Sequence, residues 1–208
     1  MNALPVSPPA AAAPPQRVQI APPAPARRKG RARALALALL CTSAWLAAAT
    51  VGHATDFGPE LHRIGLAVHV LALVLSFGAI LVVDWLGFLW LLGKRELHES
   101  GRLESAAKPL IWGGLMLLLV SGAFIHPDLG NPVTVVKLAC VLVLMLNGLA
   151  IGPAMRQLLA LPPRTRFGDV ARRLRTRLLV ALTISQACWW TAVMIGLVNS
   201  TLRRWAGT

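Results

Sequence analysis

The chain has 208 residues, 56% of them hydrophobic and 14% charged, with 21 Lys and Arg against 8 Asp and Glu for a formal net charge of +13. Soluble domains carry about 25% charged residues, so this composition excludes an ordinary soluble enzyme and fits one small membrane bundle. The positive balance does not indicate nucleic acid, because the basic residues flank apolar stretches, the pattern of membrane topology and anionic-lipid contact, and no RNA- or DNA-binding motif occurs.

Residues 1–33 hold 8 of the 15 prolines, many alanines and six basic residues. Such a segment cannot build a core and is expected to be a disordered, basic cytoplasmic arm. The first apolar stretch, about Ala34–Val51, could be a secretory signal, with small residues Ala47, Ala48, Ala49 and Ala54 near a cleavage point. The long preceding arm and the length of the run favour an uncleaved membrane helix. Four further stretches follow, at about Gly65–Leu92, Leu110–Ile125, Val133–Ile151 and Leu178–Val198. Each approaches or exceeds the roughly 20 residues that cross a bilayer. The expected fold is therefore an all-α membrane bundle of about five transmembrane helices over residues 34–208.

Orientation follows from the distribution of Lys and Arg. The arm, the 94–108 connection and the 153–177 connection hold 17 of the 21. That side is expected to be cytoplasmic in a bacterial inner membrane, with the amino terminus inside and the carboxyl terminus outside. The expected partners are the bilayer and anionic inner-leaflet lipids, with a second copy or another membrane protein as further candidates. The apolar residues Leu158, Leu159, Leu161, Phe167 and Val170 within the 153–177 connection allow it to lie on the leaflet, although a solvated basic loop is the simpler expectation.

Two polar layers interrupt the apolar helices. Counting at about 1.5 Å per residue from the flanking charges places Asp84, Asn147, Gln186 and Thr42 at one depth. A carboxylate inside a membrane is costly unless paired, protonated or hydrated, which makes Asp84 a candidate proton or cation site with the other three as oxygen donors. The competing reading is a packing clamp of interhelical hydrogen bonds. The outward layer holds His69, His126 and Lys137, with His53 and His62 nearby. Histidines on different helices at one level could ligate haem b or copper, or simply anchor at the interface. His62, His69 and Ser76 share one helical face. Gly113, Gly114, Ser121 and Gly122, and the Gly148-x-x-x-Gly152 pair, suit close helix packing. Cys41, Cys140 and Cys188 read as small apolar residues. Phosphate-loop, zinc, nucleophile-elbow and dinucleotide motifs are missing from the sequence.

The runs HVLALVLSFGAILVVDWLGFLWLLGKR, PLIWGGLMLLLVSG and VVKLACVLVLMLNGLA together resemble a group of small bacterial polytopic membrane proteins of unassigned function. The resemblance covers roughly residues 62–200 and rests on His69, Asp84, Trp112, Ser121, Gly122, Lys137, Asn147 and Gly148. More distantly the chain is similar to the copper-resistance D and HemJ-type protoporphyrinogen oxidase membrane families. That likeness implies haem or porphyrin chemistry at His69 and Lys137. The chain departs from the HemJ pattern in carrying Asn147 where a histidine is expected.

Overall fold

Inside a bilayer every backbone polar group must find a partner without water, which favours helices for apolar stretches such as these. The computed structural model describes residues 24–205, with side chains described over 30–99 and 101–199. Those residues form α1 (Ala24–Ala54), α2 (Gly58–Leu91), α3 (Leu97–Ala123), α4 (Pro132–Leu159) and α5 (Arg172–Trp205), with a short 3-10 turn at Phe167–Asp169. All five helices are long and apolar enough to cross a membrane, the architecture of a multi-pass membrane protein.

The helices outrun the apolar stretches at most of their ends. Residues 1–23 of the expected disordered arm lie outside the described residues, but α1 begins at Ala24. The helix thus starts within the expected arm, ahead of the apolar stretch. No proline follows Pro25 in this stretch, Ala and Arg are strong helix formers, and a proline in the first turn is tolerated. Likewise α3 begins at Leu97 and runs through Pro109, so most of the expected 94–108 connection is helical. Helix α4 continues through Pro153 to Leu159. Hydropathy finds the part of a helix that lies in lipid, whereas helix-forming Glu, Lys, Arg and Ala continue it into the headgroups and water.

Local chemistry sets several boundaries. Gly93 has φ +69 and closes α2 with paired bonds, Lys94 N–H to Leu89 O (2.9 Å) and Gly93 N–H to Trp90 O (2.9 Å). This is a Schellman closure, which favours glycine at the left-handed position. At the start of α4 the Asn131 side chain accepts from Val133 N–H (2.9 Å) while Pro132 occupies the first turn.

Helix α2 packs closely on α3, and α4 on α5, while α1 lies against α3 and α4. Trp45 of α1 donates its indole N–H to Leu138 O of α4 (2.9 Å). Cys140 and Cys188 meet across α4 and α5 as free thiols. One core, of Ala72, Leu115, Leu118, Leu144 and Trp189, fills the middle of the bundle. A second, of Trp90, Leu97, Ala154, Leu158, Val170 and Leu174, lies at the basic-loop end.

The α4–α5 connection is folded across that end instead of lying free. Pro163 O accepts from Leu97 N–H (3.2 Å), Thr165 O accepts from the Trp90 indole (3.1 Å), and His98 bonds Leu161 O (3.1 Å). Leu158 and Val170 are buried in the second core, with Leu161 and Phe167 packed against it. The apolar residues of this connection thus point inward, while Arg164, Arg166, Arg172, Arg173 and Arg177 stay exposed.

Candidate functional site

The closely packed pairs α2–α3 and α4–α5 face each other across a cavity of about 250 Å³. It reaches from Trp189, Leu144 and Leu115 in the middle core to Gly101, Leu159 and Phe167 at the basic-loop end. Its wall is mainly apolar, and Asp84 and Asn147 both line it. The middle core lies at its inner end.

Asp84 and Gln186 meet, as their equal counted depth predicts. The Gln186 amide donates to Asp84 Oδ2. Trp190, one turn further along α5, donates its indole N–H to Gln186 Oε1 (3.1 Å). That bond fixes which end of the amide faces α2, because only the NH₂ end can donate. A directed chain, Trp190 to Gln186 to Asp84, therefore runs into the carboxyl. The i,i+4 spacing of Gln186 and Trp190 was a sequence signal for this chain.

Asn147 lines the same cavity but is engaged elsewhere. Its amide donates to Ala181 O (2.8 Å), which ties α4 to α5. Ala181 precedes Gln186 by five residues, or roughly 7 Å of helix. The polar layer is consequently staggered. Thr42 stands apart: its hydroxyl donates to Ala38 O of its own helix (2.9 Å), and α1 packs on α3 and α4. Thr42→Val is accordingly expected to change stability by no more than about 0.5 kcal/mol and to leave any cation response intact, as read by unfolding in detergent.

Counting depth missed four cavity residues. Ser185 sits beside Gln186 on α5, and Trp112 crosses from α3. Glu104 and Lys108 belong to the helical extension of α3, and their i,i+4 spacing was the available signal.

The histidines at the end of the bundle away from the basic loops separate into two groups. His69 Nδ1 lies 3.1 Å from Ser121 Oγ, and Ser121 donates its single hydroxyl proton to Leu117 O. This contact joins α2 to α3. Lys137 of α4 acts electrostatically on this imidazole. His126 lies on the α3–α4 turn with φ +52, stacks on His53 at 6.1 Å between ring centroids, and bonds Thr55 O (3.4 Å). His53 in turn bonds Pro127 O (3.1 Å).

The histidines proposed for haem or copper stand apart from this cavity. Among the described residues no histidine lines the cavity, so a haem placed there would lack an axial imidazole. Among the same residues no group of three or more His, Cys, Asp or Glu is spaced to hold a metal ion. Comparison with protein-family models, curated proteins and solved structures gives no match for this chain.

Proposed function

We propose that the chain is a bacterial inner-membrane protein that binds a proton or small cation at Asp84 and serves transport. The observation that carries this reading is a carboxyl on the wall of a cavity within membrane-spanning helices, with a donor chain behind it. An ionisable group at such a position is a functional site by default, because retaining it in lipid is costly. The cavity extends toward the basic-loop end, and the positive-inside pattern makes that end cytoplasmic. Access to Asp84 is then from the cytoplasm, with the amino terminus inside and the carboxyl terminus outside. The exposed arginines of the α4–α5 connection would meet anionic inner-leaflet lipid.

A second reading is a membrane scaffold, alone as a homo-oligomer or beside a membrane partner. It is favoured by the Asn147–Ala181 bond, which joins helices without using Asp84. Thermal unfolding of purified protein across pH and Na⁺ or K⁺ concentration separates the two. The cation-site reading expects a saturable gain in stability with protons or one of these ions, lost in Asp84→Asn. Equal responses of the wild type and Asp84→Asn would sink it and leave the scaffold.

A further inference from the structure

We infer that the cavity accepts a small organic monocation, with its charge against Asp84 and its apolar body on Trp112 and Trp189. This rests on the cation-site reading and names the class of cation. An inorganic ion stripped of water needs several oxygen ligands, about six to eight for a Ca²⁺-type site. Among the described residues, the lining side chains supply oxygens only from Asp84, Glu104, Asn147 and Ser185, too few and too spread over three further helices to replace a hydration shell. An ammonium shielded by carbon needs less: one counter-charge and a surface of apolar and aromatic groups.

The tryptophans supply that surface. Trp90, Trp112 and Trp189 all line the cavity. Trp189 is buried and held against Phe77, with 5.5 Å between ring centroids. Trp112 lies over Gly148 of α4, where an added Cβ would stand 3.1 Å from its Cζ2. The absence of a side chain at Gly148 lets the indole reach across from α3. Both rings are positioned by the fold before a ligand arrives, which lowers the ordering cost of binding. A cation over an indole face gains about 2 kcal/mol or more when desolvated.

Charge and size set the remaining limits. Glu104 and Lys108, which also line the cavity, carry opposite charges, so the lining as a whole keeps one net negative charge, that of Asp84. The volume of about 250 Å³ falls below the roughly 300–1,000 Å³ of drug-sized sites. A small cation with one aromatic ring suits it better than a large dye.

The probe is benzyltrimethylammonium chloride, titrated calorimetrically into full-length protein in detergent against a matched NaCl control. The expected result is saturable binding that weakens about thirty-fold or more in Asp84→Asn. Trp112→Ala should weaken it about tenfold, with Trp112→Phe retaining more of the affinity. Should Asp84→Asn not fold, the Trp112 pair decides the matter. No saturable binding, or unchanged affinity in the folded variants, overturns the inference. If benzyltrimethylammonium fails while protons or Na⁺ still stabilise the wild type through Asp84, the organic-cation inference falls and the cation site stands. If neither acts, both fall.

Discussion

Gln186→Leu is expected to destabilise the bundle by about 1.5–3 kcal/mol, the range for losing a hydrogen bond to a charged group. The leucine removes the donor that Trp190 orients and leaves Asp84 facing α5 without its amide. The double substitution Asp84→Leu with Gln186→Leu should recover most of that loss, because a buried polar pair replaced as a unit by apolar residues is often neutral or better. Chemical unfolding in mixed micelles of the wild type, both single variants and the double variant would measure the coupling. A double variant that loses as much as the two singles together would show that Asp84 and Gln186 do not act as a pair.

The second large effect concerns the crossing of α2 and α3. Gly114 faces Ser76, which is fully buried and donates its hydroxyl to Ile111 O (2.9 Å). A methyl at Gly114 would stand 2.5 Å from Ser76 Cβ and 3.1 Å from its Cα and N. Those atoms belong to or adjoin the backbone, so the helices must move apart. Gly114→Ala should cost about 1–3 kcal/mol, the usual penalty of overpacking. Its neighbour is the control: nothing lies within 4 Å of a Cβ at Gly113, and Gly113→Ala should be neutral or slightly stabilising through helix propensity. Equal unfolding of the two variants would contradict the close crossing.

The membrane-spanning parts were legible in the sequence because lipid selects on composition, and runs such as Gly65–Leu92 have no other solution. Helix ends were less legible. Nothing in hydropathy distinguishes the helical Leu97–Lys108 segment from a solvated loop. At the site, counting from flanking charges put Asp84, Gln186, Asn147 and Thr42 at one depth; Asp84 and Gln186 meet, Asn147 lines the same cavity with its amide on Ala181, and Thr42 bonds within its own helix. Depth is one coordinate, and it says nothing about which way a side chain points around its helix. Thr42 has a suitable depth and spends its hydroxyl on Ala38 of its own helix. His69 and His126 differ in the same way, since one lies within α2 and the other is carried outward by a left-handed turn. Trp189 could be read from the sequence as a possible ligand wall, but not its sharing of one cavity with Trp112, because the two are separated along the chain and are positioned only by packing at Phe77 and Gly148.

The latch of the α4–α5 connection onto the α2–α3 turn bears on how the protein is made. Chains leave the ribosome amino end first, so Trp90, Leu97 and His98 are synthesised well before Pro163, Thr165 and Leu161, their partners in the fold. Until that later segment emerges, the buried end of the first hairpin has no cover and the cavity has only part of its wall. Closure of this end therefore waits on the segment after α4, and a chain stalled within α4 would expose the Trp90 surface to chaperones and membrane proteases.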